Sequence, residues 1–411
     1  MLLSSLAPAL AQDADLADQL HEIAQETATL RELPPLEEID DQILSRDELL
    51  AEMPKIIAEE TDPDQLNGAT RALIAIGLLP PGSDLLDMTV RLMGEQAAGF
   101  YDPITDEMIV VADGDFGAEA YYYSHEVVHA LQDAYLDPDD FMEEINTDND
   151  DAATAAAALY EGDAVAASNL YLGSHTELAL DLLRESQAAS TEIDSAPAPM
   201  VIDLVFPYLS GEAFVARLLA DGGWEAVDAA YADLPASTEQ ILHPEKYLER
   251  DQPVTLALPD PVEAMGTGWS LVSENTLGEL QTAALLANLQ PGEGFNAITG
   301  DLQFPEAARN AAAGWGGDRY ALWEDASGQE ALIWRTAWDT PQDARAFSRA
   351  LAQFEEQRWD SLYNGESPDD VALVTPEIAS RILLDGQQVY YVQASALPLA
   401  DSALAALRAV G

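Results

Sequence analysis

Ser124-His125-Glu126-Val127-Val128-His129-Ala130-Leu131-Gln132-Asp133 sets two of the chain's five histidines four residues apart, with a glutamate directly after the first. On an α-helix, positions i and i+4 lie one above the other on one face, so His125 and His129 can offer two imidazole nitrogens to a single ion. Glu126, one residue along, stands close enough to hold a water on that ion without being a ligand. In this H-E-x-x-H arrangement the metal acidifies the water and the glutamate accepts its proton. The flanks support a helix: residues from about 119 to 136 carry no Gly or Pro, and Asp137-Pro138 ends the run. Val128, Leu131 and Leu136 can bury one side while the histidines face a cleft. The plainer alternative is a buried helix whose histidines only hydrogen-bond to neighbours. Two histidines at i, i+4 around a Glu, in a chain holding five, favour the metal.

A catalytic zinc site needs a third protein ligand. A histidine six residues after His129 would supply one, but that position is Tyr135. His175 follows Gly173-Ser174 and reads as a loop. The better candidate is Glu161, in Ala157-Ala158-Leu159-Tyr160-Glu161-Gly162-Asp163-Ala164, on a second helix expected from about 148 to 171. Thr147-Asp148-Asn149-Asp150-Asp151 marks its start. The gap from His129 to Glu161 allows one reversal and an antiparallel return, so two packed helices would deliver His125, His129 and Glu161 to one Zn²⁺. Asp133 competes for the third place, but three ligands from consecutive turns of one helix splay too widely for a tetrahedron. It is therefore read as a partner orienting a histidine, and Asp163 as a further acid of that kind.

These motifs resemble a gluzincin-type (thermolysin-like) zinc metallopeptidase. More closely, they resemble a group of bacterial extracytoplasmic proteins that combine a His-Glu-x-x-His-Ala-Leu-Gln-Asp helix, a Glu-Gly-Asp-Ala helix and a later segment like Ser237 to Tyr247. The matching motifs span about 99 to 247, with a weaker echo in Gly314-Trp315-Gly316-Gly317-Asp318-Arg319-Tyr320. Thermolysin places an Asp four residues after its ligand Glu, where this chain has Val165. The resemblance implies peptide-bond hydrolysis, with Glu126 as general base and a peptide or protein as substrate. Water attack on an amide creates an oxyanion, stabilised by the metal plus a Tyr or His donor, for which Tyr208 and His243 are the candidates. A helix-capping or packing role for His243 is the competing reading. Two other classes stay open: a non-catalytic, metal-stabilised binding protein of the cell envelope, and an aminopeptidase gripping a free amine with nearby acids.

Composition bounds the rest. The 411 residues hold 75 acids against 17 bases, a net charge of −58, and Lys55 and Lys246 are the only lysines. The acids are spread along the chain, which points to a high-salt setting, since such self-repulsion destabilises a compact state unless screened. Nucleic-acid binding is disfavoured because no basic face exists to neutralise phosphates. With no cysteine, disulfides and thiolate-bound zinc are excluded. Met1 to Ala11 is apolar and ends in Ala9-Leu10-Ala11, an A-x-A cleavage pattern lacking a basic start, which predicts an exported protein, periplasmic or secreted. No later segment approaches eighteen uninterrupted apolar residues, so no transmembrane segment is expected. The sequence leaves oligomeric state open.

The fold expected is α+β and mainly helical, with a zincin-like core. Residues 1–11 read as a signal-peptide remnant and 12–92 as a helical cap, with Leu16, Leu20, Ile23 and Leu30 at helical spacing and Ser45-Arg46-Asp47-Glu48 as a capping start. Residues 93–250 form the metallopeptidase core, where Ala98 to Val111 signals a β-hairpin whose second strand, if an exposed edge, could pair with an extended peptide. A polar linker is expected from about 185 to 199, and a helix opening at Pro207-Tyr208. Residues 251–411 form a small α+β unit of β-hairpin, helix, strand and helix. Melting in low and in molar salt tests the halophilic reading. The melting temperature should rise in molar salt, and equal values would sink the inference.

Overall fold

The structure, a computed structural model, describes residues 6–37, 39–45, 48, 62–96, 99–102, 105–111, 117–136, 149–180, 182, 191–296 and 301–410. Met1 to Ser5, the first part of the expected cleavage segment, lie outside them, as do residues 183–190 of the expected linker. Ser45 and Glu48 form the reciprocal bonds of a capping box, although the helix expected after them lies outside the described residues.

Helix α1 (Leu6–Arg31) precedes strand β1 (Asp40–Leu44), and α2 (Pro63–Ile76) and α3 (Leu85–Gln96) follow. The hairpin is β2 (Gly99–Asp102) and β3 (Glu107–Val111). Next come α4 (Glu119–Leu136) and α5 (Asp150–Ser174), which carry the motif residues, then the short α6 (Thr191–Ser195), α7 (Ala198–Gly222) and α8 (Trp224–Ala230). Two further short helices, α9 (Thr238–Leu242) and α10 (Pro244–Glu249), complete this half. The expected linker is thus partly helical, and α7 begins nine residues before the proline taken as its start. Pro207 lies inside α7, where the missing N–H and the ring clash make proline a poor guide to a helix already under way.

The hairpin differs from expectation in one respect. The strand order is β1-β3-β2, with β1 parallel and β2 antiparallel to β3. Strand β3 is therefore paired on both sides and cannot accept an added peptide strand. The sheet's edges are β1 and β2, and on β2 the Tyr101 N–H donates to Glu126 Oε2 at 3.0 Å, and Tyr101 Oη donates to Asp133 Oδ2 at 2.8 Å. One residue clips the edge strand to the motif helix at two points.

Helix α5 starts as its sequence dictates, with the Asn149 side chain accepting from Ala152 N and Asp150 and Asp151 in the first turn. Its middle crosses α7 at backbone contact. A Cβ on Gly162 would stand 2.2 Å from the Gly211 carbonyl carbon, and one on Gly211 only 2.0 Å from Ala158 O. The two glycines let the backbones touch, and Ala155, Ala158, Leu159, Ile202, Phe206, Phe214 and Val215 close the core around them. Helix α7 is the one helix among the described residues long and apolar enough to cross a membrane. In this fold it buries Val201, Ile202, Phe206, Phe214, Val215 and Leu218 against protein, while Asp203, Glu212 and Arg217 also lie on it.

The C-terminal half contains α11 (Pro261–Met265), β4 (Trp269–Asn275), α12 (Gly278–Ala287), the two-residue strands β5 (Phe295–Asn296) and β6 (Asp301–Leu302), α13 (Glu306–Ala312), β7 (Trp315–Asp325), β8 (Glu330–Trp338), α14 (Pro341–Arg358), β9 (Asn364–Ser367), β10 (Asp370–Val374), β11 (Ala379–Asp385), β12 (Gln388–Ala394) and α15 (Leu397–Ala409). The expected hairpin is β7–β8, but it belongs to a seven-stranded antiparallel sheet ordered β4-β7-β8-β12-β11-β10-β9. Alternation along β7 sorts the two faces. Tyr320 and Leu322 point to a core with α14 and α2, and Ala321 and Trp323 to one with α15. Buried Asp318 collects Leu277 N, Gly278 N, Trp315 Nε1 and Trp334 Nε1 at 2.8–3.1 Å, which fixes the start of α12 on the sheet.

The cores cut across the divisions read from sequence. Leu20, Ile23 and Ala28 of α1 pack with β3 and α4, whereas Ala72 and Ile76 of α2 pack with the C-terminal sheet. The overall class is α+β. Substituting Gly162→Ala should force α5 and α7 apart at a backbone contact and cost about 1–3 kcal/mol. Urea unfolding checks this, and an unchanged midpoint would show that the crossing tolerates a methyl group.

Candidate metal centre

On α4, His125 and His129 turn toward α5 and meet Glu161. His125 Nε2 lies 3.0 Å from His129 Nε2 and 3.0 Å from Glu161 Oε2, and His129 Nε2 lies 3.3 Å from that same oxygen. A tetrahedral zinc with bonds of about 2.0–2.1 Å needs ligand atoms about 3.3–3.4 Å apart. The three atoms already form one face of such a tetrahedron to within a few tenths of an ångström. Among the described residues no fourth His, Cys or carboxylate joins this cluster. Two imidazoles and one carboxylate suit Zn²⁺ and other borderline divalent cations.

The three side chains are sheltered but reachable, at 12, 6 and 19 % exposure for His125, His129 and Glu161. Their field is negative. Burial alone would lower the pKa of His129, but Glu161 and then Glu126 and Gln132 outweigh it and raise it to about 9. Burial would raise that of Glu161, yet His129 and His125 hold it well below the usual carboxylate range. Aromatic rings wall the cluster: Tyr160 stacks on His129 at 4.2 Å between centroids, and Tyr208 lies nearly parallel to His125 at 6.0 Å. Tyr208 Oη donates to Glu161 Oε1 at 3.3 Å, and the Glu161 charge followed by burial keeps its phenol protonated well past its ordinary pKa.

The ring orientation of His129 is fixed from behind by a group given no role in the sequence reading. His129 Nδ1 meets Gln132 Oε1 at 2.8 Å, and Gln132 Nε2 donates to Tyr160 O at 3.0 Å and Asp163 Oδ2 at 3.1 Å. Asp163 accepts twice from Arg31, at 2.6 and 3.1 Å, and once from Tyr231 Oη at 2.9 Å. A carboxylate that accepts from Arg31 requires the NH₂ end of Gln132, so the amide oxygen faces the ring. An amide oxygen only accepts, so Nδ1 carries the hydrogen and Nε2 is the nitrogen left to bind a cation in exchange for its proton. Gln132 sits at i+3 from His129, a spacing that could have flagged it. Arg31, 132 positions from Asp163 in the chain, left no such local signal.

Two expectations change. Asp133 is held by Tyr101 Oη, and the residue orienting His129 is Gln132, with Asp163 acting one step further back. His243 caps the end of α9 and places Nε2 3.1 Å from Glu279 Oε1 on α12. Of the two candidate oxyanion donors, Tyr208 is the one the fold brings to the cluster.

Residues 269–403 match a domain family described as a domain of unknown function, DUF8575. The match covers the seven-stranded sheet with α12 to α14 and ends within α15, away from the His–His–Glu cluster. No curated protein and no solved structure matches the chain.

Gln132→Leu should weaken metal binding about 10–100-fold by freeing the His129 ring. Competition with a chromogenic chelator measures it, and an unchanged dissociation constant would remove Gln132 from the argument.

Proposed function

We propose that this protein is a zinc-dependent peptide hydrolase with a zincin-like core built from β2, β3, α4 and α5. The observation that carries the reading is the open three-ligand cluster, with Glu126 beside it on α4 and Tyr208 at its rim. A structural zinc is normally closed by four protein ligands, so a cluster joined by no fourth ligand among the described residues favours catalysis over a metal-stabilised binding protein. A divalent cation held by His125, His129 and Glu161 supplies the Lewis acidity that makes water nucleophilic near neutral pH.

The other steps fall to side chains. Glu126, oriented by the Tyr101 N–H, takes the proton of the attacking water and hands it to the leaving amine. Tyr208, whose hydroxyl reaches Glu161, is placed to donate to the oxyanion that forms as the amide carbonyl is attacked. The substrate is a peptide or protein, and the acidic surface favours basic segments and disfavours nucleic acid. The exported location rests on Ala9-Leu10-Ala11.

Glu126→Gln should abolish hydrolysis of a mixed peptide library while leaving stoichiometric metal, and retained turnover in that variant would overturn the mechanism. Glu161→Ala should lose the metal, and Asp133→Asn should keep it. Tyr208→Phe should lower kcat by about 10²–10³ with little change in KM, in line with loss of one oxyanion donor. Metal analysis beside single-turnover rates separates these outcomes.

A further inference from the structure

The metal-ligating cluster is the first of two rungs laid across the same three helices. In it His125 of α4, Glu161 of α5 and Tyr208 of α7 meet. In the second, Tyr121 Oη of α4 donates to Asn169 Oδ1 of α5 at 3.2 Å, and Asn169 Nδ2 donates to Glu212 Oε1 of α7 at 2.8 Å. Tyr121 stands four residues before His125, Asn169 eight after Glu161 and Glu212 four after Tyr208. Each pair therefore shares a helix face, and on α4 and α7 the rungs are one turn apart, about 6 Å along the axis. Val165 lies on the α5 face between them and is half-buried, as are Tyr121, Asn169 and Glu212. A carboxylate only accepts, so Glu212 fixes the NH₂ end of Asn169 and leaves its oxygen to Tyr121. Asn169 occupies one oxygen of Glu212. Among the described residues no group donates to the other oxygen, and no arginine, lysine or histidine pairs with the carboxylate.

Building on the hydrolase reading, we propose that Glu212 sets substrate preference at the metal centre, receiving the ammonium or guanidinium of a lysine or arginine side chain that adjoins the scissile bond. A side chain is the group whose length fits. The free α-amine of a substrate stands two bonds, about 2.5 Å, from the carbonyl carbon under attack, well short of a helical turn. A lysine or arginine stem spans that turn. Its methylenes lie along Val165 while the charged head stays at the polar rim, where Glu212 completes a charge-assisted contact. Asn169 holds the carboxylate in place beforehand, so little side-chain freedom is lost on binding. An acidic side chain in the same place would meet Glu212 as a like charge.

Two metal-chelating probes, the hydroxamates of N-acetyl-lysine and N-acetyl-norleucine, test this without turnover. They share an aliphatic stem and differ in the terminal ammonium. In calorimetric titration of the zinc-loaded full chain, the lysine probe should bind about tenfold tighter, the scale of one charge-assisted contact. Glu212→Gln, which keeps an acceptor for Asn169 and removes the charge, should bring that ratio close to one. Glu377→Gln removes an exposed acid between β10 and β11, away from the cluster, and should keep the parent ratio. An equal fall in both variants would show a general surface field and overturn the assignment. So would a ratio near one in the parent, or an unchanged ratio in Glu212→Gln. A chain that binds both probes in the expected ratio, loses it in Glu212→Gln and yet cleaves no lysine-containing peptide supports Glu212 and overturns the hydrolase reading alone. A zinc-loaded chain that takes up neither probe overturns both.

Discussion

Arg31 and Asp163 meet at 2.6 Å with neither side chain exposed to water. Taking two charges out of water is tolerated when geometry is good and the remaining hydrogen-bonding positions are filled. Asp163 meets that condition with two bonds from Arg31, one from Gln132 and one from Tyr231. Arg31 also reaches Asp228 and lies over the Trp224 ring at 4.3 Å. Removing one member would strand a buried charge, typically at a cost of about 3–5 kcal/mol. Four helices, α1, α4, α5 and α8, are therefore registered on one point directly behind the metal-ligating face. The N-terminal helix, which resembles a mere cap in sequence, is part of what orients His129.

Glu161, Gly162 and Asp163 show how three consecutive residues serve three directions. Successive positions on an α-helix are rotated by about 100°. Glu161 therefore reaches the histidines on one side, Gly162 meets the backbone of α7 on another, and Asp163 turns back to Arg31 and Gln132. The glycine makes the other two useful. Without the close crossing at Gly211, Tyr208 would stand further from Glu161 and from the ring of His125. The Glu-Gly-Asp segment thus reads as a ligand, a spacer of zero width and an anchor, and each role follows from side-chain size and direction.

Local physics made part of this legible. The i, i+4 histidines, the Gly- and Pro-free run and the Asn-Asp-Asp start located α4 and α5 to within three residues at each end, because helix periodicity and capping are short-range signals. Glu161 could be named because one reversal fixes where an antiparallel partner returns. Strands were harder. Trp269–Asn275 shows no clean alternation, with only partial burial along it, and Asp370–Val374 and Ala379–Asp385 are short runs that gain their meaning from neighbours in the sheet. The position of β3 between β1 and β2 depends on a parallel pairing across more than sixty residues, which no local pattern encodes. Asp133 and His243 misled for a related reason. Each carries suitable chemistry at a plausible place, but Tyr101 and Glu279 arrive from elsewhere in the chain to claim them.

The charge imbalance acquires structure once the cations are located. With 17 basic residues in the whole chain, several sit at junctions between elements. Arg358 of α14 donates to the carbonyls of Ile74, Ala75 and Ile76 at the end of α2, where a cation also complements the helix dipole. Lys246 joins Glu239 on α9 to Asp339 just after β8, both at 2.7 Å. Arg335 holds Ala257 O and Val410 O, from segments flanking the C-terminal sheet. Salt shortens the reach of exposed charges to about 3 Å at 1 M, but screens buried pairs far less. Added salt therefore removes repulsion among the surface acids and weakens exposed pairs such as Arg250–Asp233, at 75 and 48 % exposure, while Arg31–Asp163 keeps its strength. The surplus of acid and the internal ion pairs are in this sense separable. The first governs how repulsion among the acids responds to salt, and the second how the helices and sheet are joined.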